Sequence, residues 1–415
     1  MPTPAHPNVI KPHQMTKTSH PSSVTSNGLL YGTLITLALL SGCSEDQVES
    51  EWSAIRGRFG TTINPDDLPK YSGQAKPSYV QRDNTAGNPI DDAQATLGRV
   101  LFYDPQLSID NSVSCASCHQ QQHAFSDLAL SSDGVASGKT GRHSMRLINA
   151  RFGDERRFFW DERAASLEDQ VTRPIQDHLE MGFSGVDGRP DFAELVSKLK
   201  AVDYYPELFT MAFGDESISE VRMQLALAQF VRSIQSFDSR YDDGRSRVNA
   251  DNQPFPGFTP QENSGKNLFL APPQFDQQGV RVGGGAGCAG CHQPPEFSIS
   301  AGTRNNGIIG RLGLSGTDLT NTRSPSLRDL LDLNGVPHGP MMHDGSLTDI
   351  GQVIDHYNAI PDQPGNTNID PRLRPNGQPQ RLNLTLEEKE ALISFLKTLT
   401  GKSVYTDVRW SDPFQ

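Results

Sequence analysis

The chain has no apolar run long enough to cross a bilayer. Its apolar stretch, Leu29 to Leu40, falls well short of the about 20 residues that a spanning helix needs. It also lacks any basic run or basic patch interleaved with aromatics. Lys and Arg number 37 against 49 Asp and Glu, for a net charge of −12. That balance gives no electrostatic footprint for nucleic acid, and an acidic surface suits a basic partner such as a small cytochrome. No segment shows sustained period-two alternation, so a mostly α fold is expected. Cysteine is scarce, with five in 415 residues.

Four of those five stand in two pentapeptides, Cys115-Ala-Ser-Cys118-His119 and Cys288-Ala-Gly-Cys291-His292. In each, two thiols can add to the two vinyl groups of a haem, and the adjacent histidine then becomes an iron ligand. A zinc site made of two CxxC pairs is the rival reading, alongside disulfides. Paired zinc motifs usually lie about 15–20 residues apart, whereas 173 positions separate Cys115 from Cys288. Zinc would also leave His119 and His292 without a role. Two covalent haem c groups are therefore expected.

The fifth cysteine ends a secretory leader. Residues 1–42 hold Lys11 and Lys17 and no acidic residue, and the apolar run closes on Leu40-Ser41-Gly42-Cys43. A basic start, a short apolar core and small residues at the cut describe a signal peptide. The ending resembles the lipoprotein box of bacteria. Lipid on Cys43 would then anchor the protein, and Ser44 favours the outer membrane facing the periplasm. An uncleaved anchor or ordinary cleavage is the alternative. Removing the leader leaves 373 residues and a charge near −14, enough for two ordinary domains.

The mature chain repeats itself once. Asp92-Ala-Gln-Ala-Thr-Leu-Gly-Arg-Val-Leu-Phe102 precedes CASCH, and Thr259-Pro-Gln-Glu-Asn-Ser-Gly-Lys-Asn-Leu-Phe269 precedes CAGCH. Each reads as an amphipathic helix ahead of a haem site. Thr259-x-x-Glu262, Thr385-x-x-Glu388 and Ser217-x-x-Glu220 read as capping boxes. Leu392, Phe395, Leu396 and Leu399 fall on one helical face, and Gly401 sits where a C-cap is expected. The expected layout is a leader over 1–42, a polar, Pro-rich tether and lead-in over 43–87, a first haem domain over 88–248 and a second over 258–412. Asn249 to Gly257 forms the hinge. The two cytochrome c-like domains would pack face to face.

Further motifs carry a specific resemblance. Leu101-Phe-Tyr-Asp-Pro-Gln-Leu-Ser, Phe159-Trp160-Asp-Glu-Arg-Ala-Ala-Ser-Leu-Glu-Asp-Gln170, Pro174-Ile-Gln and Glu180-Met-Gly lie in the first half. Ser324-Pro-Ser-Leu-Arg328, Met342-His-Asp-Gly-Ser-Leu347 and Leu396-Lys-Thr-Leu-Thr-Gly lie in the second. From about residue 88 to 412 the chain resembles the bacterial dihaem cytochrome c peroxidases, including the MauG-like enzymes.

The resemblance implies that the first haem (Cys115, Cys118, His119) meets peroxide. Glu180 would be the acid/base, Gln170 would orient the bound oxygen, and Pro174 would crowd the sixth position while offering no donor. Alone, Glu180 would read as a solvated helix-end carboxylate. Trp160 would bridge the haems, though a core aromatic is the bland reading. The second haem (Cys288, Cys291, His292) would relay electrons. Its sixth ligand has five nearby candidates: Met341, Met342, His343, His356 and Tyr357. By resemblance the position 14 residues past His343 supplies it, which is Tyr357. Met342 is the main competitor, and a half-buried interface tyrosine is the plain reading of Tyr357. A tyrosine there matches the MauG-like branch, where peroxidases of the other type carry methionine. His123, His178 and His356 read as surface or supporting residues.

Two departures follow. Between Ala124 and Arg142 there is no His or Met, so the loop ligand that closes the first haem in many relatives is missing and the site should be open. The calcium that the resemblance places between the haems would fall on His143, His338 and Pro340. Calcium prefers oxygen, which leaves that site absent or altered. The expected function is reduction of hydrogen peroxide with electrons from a small cytochrome or cupredoxin. A MauG-like oxidation of a partner protein is the second reading, and a non-catalytic dihaem electron carrier the third. Gln170, Glu180 and the missing loop ligand argue against the carrier.

Overall fold

The computed structural model describes residues 51–153, 157–299 and 302–415. The leader, its apolar run and Cys43 lie outside the described residues. Helices dominate the rest, as expected: α1 (Ser53–Phe59), α2 (Asp92–Tyr103), α3 (Cys115–Cys118), α4 (Leu167–Val171), α5 (Arg173–Gln176), α6 (Phe192–Lys200), α7 (Tyr204–Phe213), α8 (Glu220–Ser233), α9 (Arg240–Ser246), α10 (Pro260–Leu270), α11 (Ile350–Asn358) and α12 (Leu386–Lys397). Two small antiparallel pairs complete it, β1 (Pro273–Phe275) with β2 (Arg281–Gly284) and β3 (His292–Gln293) with β4 (Ser298–Ile299).

The repeated segments form α2 and α10, and they do the same job. The Asp91 carboxylate accepts from the N–H groups of Ala93 and Gln94 and starts α2. The Thr259–Glu262 capping box starts α10, satisfying N–H groups that have no partner inside the helix. Each helix then crosses another at a glycine. A Cβ on Gly98 would lie 2.1 Å from the Ala226 carbonyl oxygen on α8, and one on Gly265 would lie 1.8 Å from that of Ala391 on α12. Only the missing side chain permits these approaches. The repeat's closing phenylalanines seal both crossings, Phe102 against Phe230 at 5.1 Å and Phe269 against Phe395 at 5.3 Å.

Two apolar clusters result. Leu97, Val100, Leu101, Phe102, Leu227, Phe230 and Val231 build the first. Phe269, Phe297, Leu392, Phe395 and Leu399 build the second. Arg328 of the Ser-Pro-Ser-Leu-Arg motif is buried beside the second, with its guanidinium on both Asp242 oxygens at 3.0 Å and on the Pro295 carbonyl at 2.6 Å. A buried arginine with every bond answered is tolerated where an unpaired one would cost several kcal/mol.

Core membership departs from the linear layout in three places. The supposed tether is folded: Ile55, Phe59, Ile63 and Tyr71 are buried in the first cluster. The supposed hinge is packed: Phe255 is buried with Tyr241 in the second cluster, and Lys266 Nζ donates to the Gln253 carbonyl at 2.8 Å. The change of core thus falls between Ile234 and Tyr241. The end of the chain returns to the first cluster through Val404 and Trp410. Tyr71 and Tyr103 clamp it by donating to the carbonyls of Arg409 (2.8 Å) and Trp410 (2.6 Å). Isolated apolar residues in Pro-rich segments leave no periodic trace, so only tertiary contact reveals them.

Two caps also differ. Ser219, not Ser217, caps α8 by accepting from Arg222 N, and this places Ile218 in the core. Gly401 lies beyond the end of α12, where Thr398 is the cap. Its N–H donates to Asp329 Oδ1 at 2.8 Å.

Candidate haem and peroxide site

A cavity of about 590 Å³ gathers Cys115, Cys118, His119, Trp160, Gln170, Pro174 and Glu180. The short helix α3 presents the two cysteines, its first turn held by the Ser114 and Ser117 capping box. Burial pushes the Cys115 thiol up to about 12 and that of Cys118 to about 11. Neutral, buried thiols are poor nucleophiles and poor zinc ligands, and all four described cysteines are free of disulfides. Among the described residues no three His, Cys, Asp or Glu side chains are grouped to hold a metal ion.

His119 completes the donor set. Its Nδ1 lies 3.0 Å from the Phe125 carbonyl. A carbonyl can only accept, so Nδ1 carries the proton and Nε2 keeps its lone pair. Ala124 and Phe125 both adopt left-handed φ, 58° and 56°, in the turn that brings this carbonyl back. Burial lowers the imidazole pKa, and the neutral ring is the form that binds iron. Two thiols and a directed imidazole on one open volume fit a haem.

A second part of the lining comes from α4, α5 and the turn after them. Ser166 caps α4 and so sets Gln170, and Pro174 stands in the first turn of α5. Asp177 Oδ1 then accepts from Leu179 N (2.8 Å) and Glu180 N (3.1 Å). The 134–138 loop locks that turn from outside. Val135 N donates to the Glu180 carbonyl at 3.0 Å. Cβ atoms on Gly134 and Gly138 would lie 1.9 and 2.3 Å from the Leu179 carbonyl oxygen. Burial, aided by the Asp177 charge and opposed by Arg163, raises the Glu180 carboxyl to about 7. A carboxyl poised there exchanges protons readily near neutrality.

A second, smaller cavity of about 90 Å³ holds His292, Tyr357, Met341, Met342 and Asn306. Cys288 is pushed up to about 12 by burial, and His292 is lowered to about 4 by the same cause. Of this CxxCH motif His292 lines the cavity, while Cys288 and Cys291 stand close enough to Tyr357 to act on its charge. Of the five candidate sixth ligands, Tyr357, Met341 and Met342 line this cavity. His343 lines the first instead, and His356 turns its Nε2 to the Asn306 carbonyl at 2.9 Å. His123 and His178 line neither.

Trp160 is 9% exposed and lines both cavities, as do His143, Arg146 and Arg323. Its indole N–H donates to the His143 carbonyl at 2.7 Å. At the suggested calcium positions, the His143 Nδ1 meets the Ala129 carbonyl (3.1 Å), and the His338 Nε2 meets the Tyr405 hydroxyl (3.3 Å). Both imidazoles are engaged with protein. Asn306 carries no sequence signal beyond the turn that Asn306-Gly307 marks.

The site and fold define a chain built around paired haem-attachment motifs. Residues 92–249 match the family described as di-haem cytochrome c peroxidase. The methylamine utilization protein MauG of Methylophilus methylotrophus is 31% identical over 325 residues, covering 76% of this chain and 84% of that protein. The cytochrome c551 peroxidase of Pseudomonas aeruginosa is 27% identical over 333 residues, covering 79% and 84%. A solved MauG-like protein associated with microbial copper homeostasis superposes with a TM-score of 0.59 at 28% identity, covering 84% of this chain and 99% of that one. The chain belongs to the dihaem cytochrome c peroxidase and MauG family.

Proposed function

We propose that the protein is a dihaem c-type peroxidase that reduces hydrogen peroxide to water. Each turnover takes two electrons and two protons and yields two water molecules. The observation that carries the reading is the convergence of Gln170, Pro174 and Glu180 on the cavity of Cys115, Cys118 and His119. Haem held there by Cys115, Cys118 and His119 would supply the redox chemistry that peroxide reduction needs.

The surrounding residues do the rest. Glu180 takes the proton from the nearer peroxide oxygen and returns it to the farther one, which leaves as water. The Gln170 amide orients the bound oxygen. Pro174 has no N–H to offer and keeps the face narrow. Trp160 lines both cavities and would shorten the electron path between haems held there. Cys288, Cys291 and His292 would hold the second haem, and Tyr357 is the further side chain that would reach its iron. Each haem belongs to one cytochrome c-like unit. Lipid on Cys43 holds the protein in the periplasm, and no described helix is long and apolar enough to cross a membrane.

A second reading is favoured by Tyr357 in the second cavity. A phenolate stabilises oxidised iron, so both haems could share oxidising equivalents and draw electrons from a partner protein, as a MauG-like enzyme would. Steady-state peroxide removal with a reduced small cytochrome or cupredoxin separates the two. Rapid turnover limited by that donor supports the peroxidase. Peroxide consumption that stays slow with every small donor supports the second reading.

A further inference from the structure

We propose that Asn306 is a positioning residue that commits the second haem to Tyr357 and withholds Met342 from it. The inference rests on the reading of Tyr357 as sixth ligand and adds the residue that makes the choice.

The side-chain amide of Asn306 sits between the two competitors. Its Nδ2 lies 3.3 Å from the Tyr357 hydroxyl and 3.4 Å from Met342 Sδ. An amide NH2 has two hydrogens, so it can serve both at once. The orientation of the amide is not arbitrary. Oδ1 accepts from Ile308 N at 3.1 Å, and a backbone N–H can only donate, so Nδ2 must face the cavity.

The segment itself is stapled. Gly307 takes a left-handed φ of 88°, and its N–H donates to Asn305 Oδ1 at 2.9 Å. The buried Asn305 amide reaches the carbonyls of Ile308, Asp318 and Thr320 at 3.2–3.3 Å. His356, beside Tyr357 on α11, donates to the Asn306 carbonyl at 2.9 Å. Asn306 is thus fixed relative to the helix that carries the tyrosine.

The two contacts act in opposite senses. A donor on the phenolic oxygen stabilises the charge that oxygen carries on ferric iron. A donor on the thioether takes one of the two sulfur lone pairs and holds the sulfur at the amide. Hydrogen bonds of this kind orient ligands and tune their metals.

The test uses the full holoprotein and compares wild type with Asn306→Leu, Asn306→Ser, Met342→Leu and the Asn306→Leu/Met342→Leu pair. Haem per chain, the ferric spectrum and the midpoint potential of the second haem are read for each. Wild type and Met342→Leu should lack the sulfur-to-iron charge-transfer band of ferric His/Met haem. Asn306→Leu should gain that band with an upward shift in potential, and the pair should lose the band again. Asn306→Ser carries the same test if the leucine variant loses haem. Position-306 variants with two haems and no such band overturn the role of Asn306. A band already present in wild type and lost in Met342→Leu overturns the ligand assignment beneath it, and leaves the chemistry of the first cavity standing.

Discussion

Trp160 gives its indole N–H to the main-chain carbonyl of His143 across 2.7 Å, and both residues line both cavities. The bond holds the indole where it lines both cavities. Trp160→Phe keeps the apolar bulk but leaves the buried carbonyl without that donor. A loss of about 1–3 kcal/mol in unfolding free energy is expected from such an unmet group. Electron re-equilibration between the haems after a single peroxide addition should slow, as followed by stopped-flow absorbance. Wild-type electron transfer in a destabilised variant would reduce Trp160 to a core aromatic.

The proposed base, Glu180, gives a pH dependence that can be tested. Its carboxyl is raised from 4.5 to about 7 by burial and by Asp177, against the pull of Arg163. As a base it must be ionised, so peroxide turnover should rise as pH passes through about 7 and level off above. Glu180→Gln should cost about 10²-fold or more in rate and flatten that rise, with haem content unchanged. Stability runs the other way. The folded state favours the neutral carboxyl, so the contribution is full below pH 4.5 and is lost as pH climbs through about 7. The glutamine variant should therefore gain melting temperature relative to wild type at pH 8 and not at pH 4. A rate profile identical in both proteins removes Glu180 from the mechanism.

Gly134 and Gly138 hold the turn that carries Glu180. A Cβ at Gly134 meets the Leu179 carbonyl oxygen at 1.9 Å, so Gly134→Ala must displace either the loop or the turn. Overpacking of this kind costs about 1–3 kcal/mol. Peroxide turnover should fall while the spectrum of the second haem stays as it is. The same loop has no His or Met between Ala124 and Arg142. The fully ferric protein should accordingly react with peroxide without a lag. A lag removed only by reducing the second haem would mean that a ligand from elsewhere closes the site.

The haem count is checked by chemistry. Cys118 and Cys291 belong to separate motifs. Cys118→Ser and Cys291→Ser should each lower covalent attachment by one thioether and reduce the pyridine haemochrome yield from two haems per chain towards one. A wild-type yield of a single haem contradicts the dihaem reading outright.

Trp410 tests the returning tail. It is 1% exposed in the first cluster, and its indole N–H reaches Ser233 Oγ at 3.2 Å. Trp410→Ala should destabilise by about 3–5 kcal/mol and lower the melting temperature. A surface residue would cost far less, so an unchanged melting curve would deny the strap.

Much of the protein was legible in its sequence because the relevant signals are local. The CxxCH pairs bring thiols and imidazole together within five residues, whatever the rest of the chain does. The repeated segments announce two helices through their spacing and, at Thr259, a capping box, whereas the crossings at Gly98 and Gly265 show only in the structure. Gln170, Pro174 and Glu180, which the family resemblance singles out, reach one cavity because only two short helices and a turn separate them.

Tertiary structure alone decided what depends on distant segments meeting. Tyr71 and Trp410 share one core although 338 positions separate the partners Tyr71 and Arg409, and no periodicity in a Pro-rich lead-in or a short tail encodes that. The raised Glu180 pKa comes first from burial, which exists only once the chain has folded, with the nearby Asp177 charge adding to it. Asn306 reaches Tyr357 across 51 positions, through a turn whose residues look ordinary one by one. Side-chain chemistry is written in the sequence. Desolvation and the choice between competing partners depend on which surfaces close together, and those exist only once the chain has folded.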